Sequence, residues 1–156
     1  MTEDERWMEY AVKEAELAYR RKEVPIGAVL VRDGRILGKG YNQIESLQDP
    51  TAHAEMIAIT AAAAGLGSRR LEGCTMYVTL EPCAMCAGAV VLARVPRLVY
   101  GAADPKAGAC GTLYNIVQDE RLNHRVELAG GVLEERCAGL LKEFFSKVRS
   151  NGMGKP

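Results

Sequence analysis

Histidine is scarce in this chain: His53 and His124 are the only two, so a metal centre here cannot be an all-imidazole one. Neither charge is in surplus, with Lys+Arg 20 against Asp+Glu 20. That balance argues against gripping long nucleic acid by bulk electrostatics, while leaving room for a compact basic patch. No apolar run approaches a membrane span, and the opening residues, Met1 to Arg6, are too acidic and polar for a signal peptide. The expectation is a cytoplasmic protein with no membrane partner. The five cysteines are odd in number and two stand as Cys-x-x-Cys, which reads as metal chemistry in a reducing compartment rather than a disulfide framework. Repeats, low-complexity tracts and long linkers are also missing. One domain over residues 1–150 is expected, with 151–156 as a flexible tail.

What is present has a clear order. Thr2 with Glu5 predicts a capping box opening a helix to about Lys22, with Trp7, Met8, Ala11, Ala15, Leu17 and Ala18 roughly on one stripe. Ile26 to Val31 and Arg35 to Tyr41 read as strands joined by an Asp33-Gly34 hairpin turn. After a polar loop, Thr51 is expected to cap a helix from Ala52 to about Ala64. Cys74 to Leu80 reads as a strand, and Pro82 as the first turn of a helix to about Ala93. Strands are expected over Leu98 to Ala102 and Val126 to Ala129, and a last helix over Leu133 to Arg149. Five strands interleaved with helices imply a three-layer α/β/α fold around a central mixed five-stranded sheet. Its strand–helix–strand unit should be parallel and right-handed.

The chemistry gathers in two segments about thirty residues apart, His53-Ala54-Glu55 and Pro82-Cys83-Ala84-Met85-Cys86. Alone, Cys-x-x-Cys also fits a redox pair or half a structural zinc knuckle, and His-x-Glu carries almost no signal. Together they offer one imidazole, two thiolates and a spare carboxylate. A structural zinc is closed by four protein ligands, whereas a catalytic one keeps a position for water. His53, Cys83 and Cys86 are therefore the candidate ligands of one Zn2+ per subunit, and Glu55 the candidate proton shuttle. Cys74, Cys110 and Cys137 lack paired spacing and read as small buried hydrophobes. The run Ala84 to Ala93 is apolar almost all round, as in a helix that is fully buried or covered by a second subunit.

The pattern of these two segments resembles the cytidine/deoxycytidylate deaminase superfamily. Glu23 to Val29, Asp49 to Glu55, Tyr77 to Cys83, Asp104 to Ala109 and Asn123-His124-Arg125 narrow the resemblance to its bacterial tRNA adenosine deaminases, along essentially the whole chain. The resemblance implies a cytidine-deaminase-like fold and a homodimer. It also implies deamination of adenosine to inosine at the wobble position of a tRNA anticodon, with zinc-activated water attacking C6 of a flipped adenine. By the same carry-over, Asn42 lies in the substrate pocket. Asp104, Lys106, Asn123, His124 and Arg125 contact the anticodon stem-loop, with Phe144, Phe145 and Arg149 on the terminal helix. DNA is not an expected partner. One departure is Gln43, where the family often has arginine. Two other readings stay open: a deaminase of a free base or nucleoside such as cytosine or guanine, and a non-catalytic, zinc-stabilised RNA-binding module.

Overall fold

A computed structural model describes residues 1–150, so the expected flexible tail at 151–156 lies outside the described residues. The elements run α1 (Glu3–Arg20), β1 (Gly27–Arg32), β2 (Arg35–Tyr41), α2 (Ile44–Leu47), α3 (Ala54–Leu66), β3 (Thr75–Leu80), α4 (Ala84–Leu92), β4 (Arg97–Ala102), a 3₁₀ turn (Ile116–Gln118), β5 (Glu127–Ala129) and α5 (Glu134–Ser150). The strands form one sheet in the order β2-β1-β3-β4-β5. β1 is antiparallel to both neighbours, while β3, β4 and β5 are mutually parallel. The mixed five-stranded sheet of the sequence reading is thus present, and the cytidine-deaminase-like fold with it.

Period-two alternation splits each strand between two cores. Ala28, Leu30, Met76, Val78 and Leu98 face α3 and α4, whereas Val29, Val31, Tyr77 and Val99 face α1 and α5. The Thr2 capping box forms in full, with Thr2 Oγ1 accepting from the Glu5 amide at 3.0 Å and Glu5 accepting from the Thr2 amide at 2.8 Å. Asp33 and Gly34 both take positive φ (52° and 73°), as a primed hairpin turn requires. α2 falls inside the polar loop expected after β2, and the 3₁₀ turn in a stretch where the sequence suggests no element. Both are too short to leave a periodic signal.

α3 lies almost on the backbone of β2. A Cβ on Gly40 would stand 2.5 Å from the Ala54 carbonyl oxygen, and on Gly38 2.5 Å from that of Ala58. Glycines on the strand and alanines on the helix make this approach possible, and it fixes the height at which α3 begins.

Strand direction collects the chemistry. β2 and β3 are both antiparallel to β1, so β2, β3, β4 and β5 all run one way. The segments after Tyr41, after Leu80 and after Ala102 therefore leave the same end of the sheet, and α3 and α4 both start there.

Candidate active site

The two ligand-bearing segments reach the site by the same local device. His53 and Cys83 are the N-cap residues of α3 and α4, each extended (φ −78°, ψ 151° and φ −75°, ψ 177°), and neither side chain caps its own helix. An N-cap residue lies outside the helical repeat, so its side chain is free to turn to a neighbour. This corrects two helix starts: α3 begins at Ala54, not Ala52, and α4 at Ala84, with Pro82 ahead of the cap. Helical positions two apart diverge, yet His53 and Glu55 converge because only Glu55 is in the helix.

His53 Nδ1 lies 3.7 Å from Cys83 Sγ and 3.6 Å from Cys86 Sγ, and all three ligand atoms fall within 4.8 Å of one another. Tetrahedral bond lengths of about 2.3 Å to sulfur and 2.05 Å to nitrogen put neighbouring N and S ligands about 3.6 Å apart. The donor set and its spacing therefore fit zinc with three protein ligands. Cys86 is buried while His53 and Cys83 are half-buried. Hydrogen bonds from the Cys86 thiol and the His53 ring hold Cys83 down to about 3, while the Cys83 sulfur and burial push Cys86 up. The Cys83 sulfur in turn raises His53.

Glu55 is buried beside them, and loss of solvent pushes its carboxyl up to about 7. A carboxyl poised there can take a proton and return it near neutral pH. Asn42 is buried as well. Its Oδ1 accepts from the Ala54 amide at 3.2 Å, tying the end of β2 to the first turn of α3 and committing the Nδ2 amide to donation elsewhere.

At the same end of the sheet, on the α5 side, a groove of about 610 Å³ opens between the ends of β3 and β4 and α5. Leu80, Asp104, Lys106, Lys142, Phe145 and Arg149 line it. Asp104 Oδ1 accepts from the amides of Lys106 (2.9 Å) and Ala107 (3.2 Å), which turns the loop. Lys106, Lys142 and Arg149 form no ion pair among the described residues, so three cations face the groove against one carboxylate. Of the adjacent phenylalanines only Phe145 lines it. Phe144 is buried, edge-on to Tyr19 at 6.0 Å and to Phe145 at 5.4 Å, and supports Phe145 from the interior.

Asn123, His124 and Arg125 are not brought to this end. They lead into β5 where the parallel strands begin, and the His124 Nε2 hydrogen bonds the Val95 carbonyl at 2.7 Å. Six-residue strands of about 20 Å separate them from the metal-ligand group. Two buried acids that sequence reasoning missed do border the site. Glu23 accepts from the Glu45 amide (3.1 Å) and from the Ser46 amide and hydroxyl (both 2.6 Å). Glu81 accepts from the loop beyond β4. A lone acid before a Val-Pro or a Pro carries no signal of its own; only burial reveals them.

A mixed sheet that delivers an imidazole, two thiols and a buried carboxyl to paired helix N-termini defines the class: the deaminases that act on nucleobases. The chain belongs to the MafB19-like deaminase family, whose model matches residues 2–149, and within it to the tRNA-specific adenosine deaminases. The tRNA-specific adenosine deaminase of Bacillus subtilis strain 168 is 56% identical over 149 residues, covering 96% of this chain and 92% of the relative. A structure from studies of A-to-I editing by tRNA:A34 deaminases at the wobble position matches with a TM-score of 0.84 and 46% identity, over 87% of this chain and 99% of that one. A guanine deaminase of Bacillus subtilis matches less fully, at TM-score 0.64 and 38% identity over 72% of this chain and 71% of that one.

Proposed function

We propose that this protein hydrolyses the 6-amino group of adenosine at the wobble position of a tRNA anticodon, giving inosine and ammonia. The reading rests on one combination: the His53–Cys83–Cys86 group and a cation-lined groove share one end of the sheet, in a chain similar to a tRNA-specific adenosine deaminase over 96% of its length. Residues 1–150 act as one deaminase domain, working in the cytoplasm as a homodimer, with one zinc per subunit held by His53, Cys83 and Cys86. Zinc bound there supplies Lewis acidity that makes water a nucleophile at neutral pH.

The chain's own residues do the rest. Glu55 accepts a proton from the attacking water and passes it to the departing nitrogen, both within its buried pocket. The Asn42 Nδ2 amide, left as donor by its Oδ1 bond to Ala54, orients the extruded nucleotide. Phe145 offers a stacking face, and Lys106, Lys142 and Arg149 meet the phosphates on either side. Asp104 holds the loop that carries Lys106. Asn123, His124 and Arg125 are too far away to read the target base and contact more distant parts of a folded stem-loop.

Incubation of the zinc-loaded protein with an arginine-type anticodon stem-loop, with adenosine and with guanine tests the assignment. Inosine is expected in the stem-loop alone. Turnover of guanine without turnover of RNA would transfer the protein to the free-base deaminases, and no turnover at all would favour a zinc-stabilised RNA-binding module.

A further inference from the structure

Glu81 is 2% exposed, and no oxygen of its carboxylate is idle. Oε1 accepts from the Asp104 amide at 3.0 Å and from the Thr112 hydroxyl. Oε2 accepts from the amides of Cys110 at 3.0 Å and Thr112 at 3.1 Å. The loop 104–112 thus wraps a single carboxylate at its start, near its end and at its final residue. Its middle closes on the same group. A Cβ added at Gly108 would stand 2.5 Å from the Glu81 carboxyl, leaving no room for any side chain.

The main chain of Glu81 is anchored separately. Its amide donates to the Ala102 carbonyl at 2.8 Å, and Pro82, next in line, accepts from the Ala109 amide at 2.9 Å. Cys83 follows directly. On one side of Glu81 is therefore a metal-ligand candidate, and on the other the loop that presents Asp104, Pro105 and Lys106 to the groove.

We propose that Glu81 is a positioning residue: its buried carboxylate fixes the groove-lining loop in register with the Cys83 segment, so that the RNA-binding wall and the reacting centre keep one spacing. The proposal rests on the assignment of that groove to RNA. Glu81 touches neither Glu55 nor the three ligand atoms through its side chain, so its loss acts on substrate binding before it acts on chemistry.

The hydrogen-bond arithmetic makes the test specific. Glutamine has one acceptor oxygen and one NH2 group. At the Oε2 position two fixed backbone N–H groups point in, so the oxygen of Glu81→Gln must sit there, retaining Cys110 and Thr112. Its NH2 then faces Thr112 Oγ1, which can reverse and accept, and the Asp104 amide, which cannot. One donor is lost selectively, at the hinge of the loop.

Glu81→Gln is expected to retain zinc by elemental analysis, to keep kcat on the stem-loop within roughly threefold, and to raise KM about tenfold. Amide hydrogen exchange should speed up at Asp104 and stay slow at Cys110 and Thr112. Thr112→Val, which exchanges the hydroxyl for a methyl and keeps the backbone bond, should raise KM less, and Thr112→Ser should restore it; this pair decides the matter should the glutamine variant fold poorly. An unchanged KM in both Glu81→Gln and Thr112→Val, or equal loss of protection at all three amides with loss of zinc, would overturn the proposal. Failure of the parent protein on RNA would instead remove the functional reading, and the exchange pattern would still decide whether Glu81 holds the loop.

Discussion

His53 and Cys83 occupy equivalent places, each the extended residue immediately ahead of a helix, and their ligand atoms meet 3.7 Å apart although thirty residues separate them. Each helix aims its positive end at the site, which favours thiolate on Cys83 and negative charge developing on substrate. Removing either residue therefore takes away a candidate ligand without removing a helical residue. Cys83→Ala is expected to lose stoichiometric zinc and to lower the melting temperature of the metal-loaded protein by several degrees, since metal binding is coupled to folding. Cys110→Ala, buried but outside the ligand group, should keep its zinc. Elemental analysis and thermal melts check both; full zinc in Cys83→Ala would rule out the ligand assignment.

Glu55→Gln keeps volume and burial while removing the proton acceptor. Activity on the stem-loop should fall about 10³-fold with zinc content and folding unchanged. Ammonia release alongside circular dichroism and metal analysis distinguishes this from damage to the site. Near-normal turnover would mean the proton travels by another route.

The cations of the groove should act through charge. Lys142→Ala and Arg149→Ala are each expected to weaken RNA binding and to reduce the slope of log affinity against log salt by roughly 0.7. Phe145→Ala should weaken binding by about 1–3 kcal/mol with the salt slope unchanged, as loss of a stacking surface does. Phe144→Ala, removing an interior ring, should lower stability rather than affinity. A salt titration of stem-loop binding separates the first two outcomes, and a thermal melt reads the third.

At the opposite end of the sheet, Asp4 takes both guanidinium N–H groups of Arg97 at 2.8 Å and the Tyr77 hydroxyl at 2.9 Å. The Arg97 bonds hold the Asp4 carboxyl below its ordinary 3.8. A folded-state value lower than the unfolded one contributes stability that is complete above about pH 4 and is lost as pH falls below 3.8 through the folded value. Melting temperature should drop over that window. Asp4→Asn should flatten that part of the acid limb and cost about 1–2 kcal/mol at pH 7. An unchanged acid limb in Asp4→Asn would show that other carboxylates set it.

Local rules found most of the elements. The Thr2 capping box, the Asp33-Gly34 turn and the strand runs of β1, β3 and β4 each depend on neighbours a few residues away, and each formed where the sequence put it to within a residue or so. The boundaries that moved are instructive. Thr51 has the chemistry of a helix cap, yet its amide and hydroxyl go to Asp49, and the N-cap is His53, whose side chain turns to the sulfurs instead of capping. A metal-ligand group of one imidazole and two thiols is legible in the chain because ligand identity and short spacing are local properties.

Which residues share one end of the molecule is a different kind of fact. Strand order and direction decide that Asn42, Cys83 and Asp104 gather, and that Asn123 to Arg125, named with them from sequence, stand a strand length away. Burial alone turned Glu23 and Glu81 from ordinary acids into the anchors of two loops. The sequence determined the metal-capable group and the carboxyl beside it through chemistry carried by single residues. The sheet decided what lies around them, because a side chain's surroundings are set by segments far away along the chain.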